Sequence, residues 1–84
     1  MMRYEIAFKP QAVKDLRGLP GPEAARILRK VERMRDNLAG DVKRLTDFTP
    51  EYRLRVGDYR VLFELEGRRA VIYRVLHRSR AYRR

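Results

Sequence analysis

Apolar and polar residues alternate in two runs, Tyr52 to Val56 and Tyr59 to Glu66, on either side of Gly57-Asp58. A two-residue Gly-X loop between alternating runs predicts a β-hairpin. Such a loop sets Val56 opposite Tyr59, Leu54 opposite Val61 and Tyr52 opposite Phe63. Successive side chains of a strand point to opposite faces. Tyr52 and Tyr59 therefore fall on an apolar face as core residues, while Arg53, Arg55 and Arg60 share the other, with Arg55 directly across from Arg60. Like charges facing each other across a ladder are destabilising. At about 6 Å the repulsion is roughly 1 kcal/mol in a water-like dielectric and larger where solvent is excluded. A hairpin selected for stability alone gains nothing from this arrangement, whereas a hairpin that binds a polyanion does.

The pattern elsewhere predicts the remaining elements. Tyr4 to Phe8 alternates as a first strand, and Pro10 suits the opening turn of a helix whose apolar stripe is Val13, Leu16 and Leu19. After the Leu19-Pro20-Gly21-Pro22 turn, Ala24, Ile27, Leu28, Val31, Met34 and Leu38 recur at helical spacing and predict a second helix reaching about Leu38. Val42 to Leu45 reads as a short strand. Glu66-Gly67-Arg68 turns into a last strand, Arg69 to Leu76. A three-residue loop there sets Phe63 against Val71, Leu62 against Ile72 and Arg60 against Arg74, adding Arg74 to the basic face beside Leu62, Ile72 and Leu76. The tail from His77 to Arg84 is too polar for a core strand. The predicted fold is a two-layer α+β domain over residues 1–84, in the order β-α-α-β-β-β-β. Two N-terminal helices pack on one face of a small antiparallel sheet, and the opposite face is left open and basic.

Composition sharpens this picture. The chain has 84 residues and no cysteine, which removes disulfides and thiolate metal sites, and its one histidine stands in no metal-ligand spacing. No metal or cofactor is expected. No apolar run approaches a membrane span and no cleavable signal is visible, so a cytoplasmic protein with no membrane partner is expected. The 21 Lys plus Arg exceed the 11 Asp plus Glu by ten. Most of the excess lies from residue 43 onward, where Lys43 is the sole lysine. Arginine's planar, permanently charged fork suits phosphate, and the asymmetry points to nucleic acid.

The Arg-Val-Gly-Asp-Tyr-Arg hairpin at 55–60, the Val-Leu-His-Arg-x-x-x-Tyr ending at 75–82 and the element order resemble the RelE/ParE superfamily of toxins from toxin–antitoxin systems, the RelE branch more than the ParE branch. The resemblance implies a metal-independent, ribosome-dependent endoribonuclease that cuts messenger RNA in the decoding site. Its implied partners are the ribosome, mRNA and a RelB-like antitoxin encoded next door, with DNA reached only through the antitoxin complex. An acidic amphipathic segment would suit an open face that mixes arginines with Leu62, Ile72 and Leu76. Arg60 and Arg78 match the family's phosphate-stabilising arginines, and Tyr82 matches its C-terminal tyrosine assigned to proton transfer or base stacking. Arg53 and Arg55 stand where RelE members often carry lysine. Arginine stays protonated, so His77 becomes the substitute for proton transfer; its plain alternative is to cap the last strand, as Tyr82's is to anchor the tail. Lys43, Arg74, Arg80 and Arg83 are candidate RNA contacts. Two rival functions stand beside this one: a ParE-type DNA gyrase inhibitor, and a non-catalytic nucleic-acid-binding module.

Overall fold

A computed structural model describes residues 2–82. The chain runs β1 (Glu5–Phe8), α1 (Pro10–Arg17), α2 (Gly21–Arg33), β2 (Val42–Arg44), β3 (Tyr52–Val56), β4 (Tyr59–Glu66) and β5 (Arg69–His77). The five strands form one sheet in the order β1-β5-β4-β3-β2. All neighbouring pairs are antiparallel except β1 with β5. The α+β architecture is as the sequence predicts, with the first strand joining the sheet edge in parallel.

Both helices carry proline in the first turn, Pro10 in α1 and Pro22 in α2, where its fixed φ is suited, and both carry lysine and arginine in the last turn, where the helix dipole favours cations. Ile27, Val31 and Met34, at i, i+4 and i+7, bury one stripe of α2 almost completely. Leu28 lies off that stripe and is 43% exposed. The second helix ends at Arg33, short of the predicted Leu38. Asn37 and Leu38 take φ of 59° and 56°, and the Tyr4 and Asn37 amides donate to the Arg35 and Met2 carbonyls. Pairing with the N-terminal segment, reinforced by an Arg3–Asp36 ion pair, thus replaces the last helical turn.

The β3–β4 hairpin has the predicted register, including Arg55 opposite Arg60. Gly57 holds φ of 58° while Asp58 stays at negative φ, as a type II′ turn requires. The β4–β5 pairing differs from the prediction. Glu66 pairs directly with Arg69, so the loop is the two residues Gly67-Arg68, and a bulge beside Leu62/Phe63 then inserts one extra residue, Tyr73, into β5. The shorter turn exchanges the faces of Val71 and Ile72, and the extra residue restores the predicted parity from Arg74 onward. Phe63 therefore faces Ile72, Leu62 faces Arg74 and Arg60 faces Leu76. Ile72 is fully buried in the helix-side core with Leu54, Val61 and Phe63, and Val71 takes the opposite face.

Arg74 keeps the predicted parity yet does not join the basic surface. Beyond Ile72 the strand β5 has no β1 neighbour, and Asp15 of α1 closes that edge. Its carboxylate accepts the Val75 amide at 2.9 Å and Arg74 Nε and Nη2 at 2.8 and 3.1 Å. Burial alone would raise the Asp15 carboxyl; the bonds from Arg74, Val75 and Gln11, with the Arg74 charge, outweigh it and hold the group below its ordinary 3.8. A depressed carboxyl contributes stability that is complete above its unfolded value and is lost as pH falls through the folded one. Asp15→Ala leaves the Val75 amide unpaired and should destabilise the domain by roughly 1–3 kcal/mol, read as a lower denaturant midpoint at unchanged slope. The difference between wild type and variant should shrink as pH drops below 3.8.

Candidate functional site

The face turned away from the helices is less open than its charge suggests. Leu62, Val71 and Ala81 are nearly fully buried, yet stand outside the helix-side cluster. Ala81 belongs to the tail, which folds in turns from residue 78 to 82. Beside it Tyr82, 41% exposed, meets Phe48 edge to face, with centroids 5.7 Å apart and planes at 87°. These rings border a cleft of about 490 Å³, a size common for ligand sites. Lys43 and Arg44 of β2, Arg53 and Arg55 of β3 and Arg60 of β4 supply its cations; Leu45, Thr46, Phe48 and Tyr82 complete the wall. Three stretches distant in sequence thus meet through sheet pairing: Lys43 is registered against Arg53, and Arg55 against Arg60.

The cations are not equivalent. Arg53 is only 14% exposed and donates through Nη1 to the Asp41 carboxylate at 2.9 Å and the Asp41 carbonyl at 2.6 Å. That hydrogen bond outweighs the opposing effect of desolvation and, helped by the charges of Arg53, Arg55 and Arg60, holds the Asp41 carboxyl below its usual range. The turn bearing Asp41 is fixed from behind by Gly40, at φ of 122°, where an added Cβ would come within 2.9 Å of Leu54 Cδ1. Arg44 donates Nε and Nη2 to one Glu51 oxygen at 3.1 and 2.9 Å. Arg60 curls onto the hairpin turn, donating to the Gly57 and Tyr59 carbonyls at 2.9 and 3.0 Å, which leaves its charge uncompensated. Lys43 and Arg55 make no ion pair among the described residues. Five cations against the two carboxylates of Asp41 and Glu51 leave a net of three, carried by Lys43, Arg55 and Arg60. Two of those three face each other across a ladder, the repulsion that an anion between them would relieve.

The remaining predicted residues lie elsewhere. His77 is registered against Tyr59, whose ring packs on the helix-side core, so the imidazole lies on the other face of the sheet from the cleft. Its Nδ1 accepts the Ser79 amide at 3.2 Å and lies 2.9 Å from Ser79 Oγ, and the ring stands edge-on to Tyr59. His77 and Arg80 border a second, smaller depression with Lys14 and Asp15. Arg78 is exposed at the hairpin tip, its amide bonded to the Asp58 carbonyl at 2.7 Å and its guanidinium 4.0 Å from the Asp58 carboxylate. Arg74 is held by Asp15, and Arg83 lies outside the described residues. Sequence reading passed over Arg44, Asp41 and Phe48. An aromatic residue inside the polar Thr46-to-Pro50 loop was the one signal available for Phe48. No group of three or more His, Asp or Glu side chains gathers among the described residues as a metal site, and no described helix is long and apolar enough to cross a membrane.

Comparison with known proteins supplies independent findings. The family described as "ParE toxin of type II toxin-antitoxin system, parDE" matches residues 6–82. Toxin RelE3 of Methanocaldococcus jannaschii is 34% identical over 83 residues, covering 93% of this chain and 94% of its own. Among solved structures, a chain of the RelB–RelE antitoxin–toxin complex of Methanococcus jannaschii superposes with a TM-score of 0.72 at 35% identity, covering 87% of this chain and 91% of that one. A chain of the toxin–antitoxin complex RelBE2 of Mycobacterium tuberculosis gives 0.77 at 28% identity, covering 94% and 95%.

The unequal cations make a measurable pattern. Binding of a single-stranded oligonucleotide should weaken with salt by about 0.7 in log–log slope per phosphate contact. Replacing Lys43 and Arg55 together by Gln should lower that slope by about 1.4. Arg53→Gln should change it little, because Asp41 already neutralises Arg53, and Asp41→Asn should raise it. Fluorescence anisotropy across a salt series, with thermal melts as a folding control, checks all three.

Proposed function

The chain belongs to the ParE toxin family of type II toxin–antitoxin systems, within the RelE/ParE superfamily, and from that premise we propose that it acts as a RelE-like endoribonuclease cutting messenger RNA in the ribosomal decoding site. The observation that carries this reading is the meeting of Lys43, Arg55, Arg60 and Tyr82 at one cleft. Cleavage by the neighbouring 2′-hydroxyl needs that hydroxyl deprotonated, the pentavalent phosphorane's added charge met by fixed cations, and the 5′-oxygen protonated as it leaves. Arg55 and Arg60 are assigned to the phosphorane. Preorganised donors aimed at developing charge are commonly the largest catalytic contribution. Arginine cannot pass a proton on, whereas lysine is a side chain that can. Lys43 and the Tyr82 phenol therefore take the two proton transfers, and Arg53 holds the β2–β3 wall in place. Arg78 and Arg80 add peripheral contacts to RNA backbone, which position without reading sequence.

Two of the structural relatives are chains of complexes between RelE and RelB, and a RelB-like antitoxin is the proposed partner of this toxin. An acidic segment laid across the cleft would meet the three uncompensated cations and cover the Phe48–Tyr82 rings, masking the site. Action on ribosome-bound message places the protein in the cytoplasm. The description of the matching family as ParE favours a second reading, inhibition of DNA gyrase without nuclease chemistry.

Induced expression with primer-extension mapping of transcripts separates the two. Arg55→Gln with Arg60→Gln should lower cleavage by about 10²–10³ per donor removed, relieve growth arrest, weaken antitoxin binding through loss of two of the three cations it meets, and not lower the melting temperature. Intact transcripts together with a DNA-damage response in wild-type cells would establish the gyrase reading instead.

A further inference from the structure

The second helix presents Arg26, Arg29, Lys30 and Arg33 at i, i+3, i+4 and i+7, a spacing that aligns them along one side. All four are exposed, and none makes an ion pair among the described residues. We infer that this stripe is a second surface for the phosphate backbone of a single-stranded nucleic acid, joined to the cleft across the Gly57-Asp58 turn, so that the strand held in the cleft runs on over α2. The inference rests on the nucleic-acid reading of the cleft and extends the contacts of that same strand.

Three observations carry it. First, Arg26 faces Arg29 and Lys30, and Arg33 faces the same two, so every neighbouring pair repels and weakens the helix. The helix dipole favours Lys30 and Arg33 in the last turn, but it gives no reason for Arg26 or Arg29. The acids of the helix are directed elsewhere: Glu32 pairs with Arg35, and Glu23 faces the Tyr59 phenol. A polyanion laid along the stripe relieves all these repulsions at once. Second, stripe and cleft meet at one residue. A Cβ added at Gly57 would lie 2.8 Å from Arg26 Nη2 and 3.2 Å from Nη1, while the Gly57 carbonyl accepts Arg60 Nη1 at 2.9 Å. Arg78 stands at the same turn, its guanidinium 4.0 Å from the Asp58 carboxylate. Third, the stripe suits phosphate better than protein. Three of its four members are arginine, whose fork matches phosphate oxygens, and it offers none of the apolar anchors by which an amphipathic protein segment docks. From i to i+7 it covers about 10 Å of helix axis, a span for a few nucleotides beyond the cleft.

The test uses the whole chain and oligonucleotides lacking every 2′-hydroxyl, so that its outcome does not depend on cleavage. A short oligomer of about three nucleotides occupies the cleft alone, and one of about twelve also reaches α2. Replacing Arg29, Lys30 and Arg33 together by Gln should lower the salt slope of the long oligomer by about two and leave the short one unchanged. A charge-matched variant, with the exposed Lys14, Arg17 and Arg68 replaced by Gln, should move neither slope by as much as one contact, about 0.7. Arg29→Lys with Arg33→Lys keeps the charges and should bind both oligomers as wild type does. Replacing Lys43 and Arg55 by Gln should weaken both oligomers, because one strand occupies both surfaces. Equal loss for the two oligomers in the stripe variant, no loss for either, an equal loss in the charge-matched variant, or a loss in the lysine variant overturns the inference. Full binding of the long oligomer by the cleft variant also overturns it, since the stripe would then act alone. A polyglutamate of matching length that depends on the stripe as the long oligomer does would assign the surface to an acidic protein segment instead. Wild-type binding to neither oligomer would remove the nucleic-acid reading on which the inference stands, a result distinct from all of these.

Discussion

Leu54 and Val61 lie directly opposite one another across the central hairpin, both fully buried in the cluster that holds Phe63, Ile27 and Met34. Their burial fixes the parity of β3 and β4, because a slip of one residue would carry every apolar side chain to the other face and drive arginines into the core. The clustering of Arg53, Arg55 and Arg60 is thus a consequence of core packing. No attractive interaction among those arginines is needed, and none exists. The helix-side core holds them together against their own repulsion, and the resulting potential is available to any anion that enters.

How much of that potential survives is set by a few carboxylates. Asp15 withdraws Arg74 around the sheet edge, Asp41 neutralises Arg53, and Glu51 neutralises Arg44. The three pairs serve different purposes. The Asp15 pair closes an unpaired stretch of β5 and belongs to the architecture. The Asp41 pair ties the turn before β2 to β3 and so builds the cleft wall. What remains, Lys43, Arg55 and Arg60, is a compact group with its charge facing solvent, where exposed charges are held at little cost and are free to exchange water for phosphate.

The site is also a product of chain ends. The turns after β5 bury Ala81 and bring Tyr82 to the cleft lined by Arg53, Arg55 and Arg60, which gives the basic surface an aromatic rim. Family membership makes the chain a toxin, and the sheet face away from the helices holds its cationic cleft. The helix-side face carries the hydrophobic core and the other face carries the uncompensated charge of the cleft.

The hairpin register, the two-helix layer and the position of the arginines were legible in the amino-acid sequence, because a two-residue turn and a period-two pattern act between near neighbours and leave one pairing that buries the apolar set. The exchange of Val71 and Ile72 was not legible. It comes from the two-residue Gly67-Arg68 turn, whose parity a bulge at Tyr73 reverses again before Arg74, and a three-residue loop with no bulge satisfied the same hydrophobic pattern. Nor could local pattern show that Arg74 would be taken by Asp15, 59 residues away, that α2 would yield its last turn to pairing with residues 2–4, or that His77 would fall on the opposite face from the cleft. Phe48 meets Tyr82 across 34 positions, the difference of their numbers. Such contacts depend on where whole strands and loops come to rest, and only the folded chain fixes that.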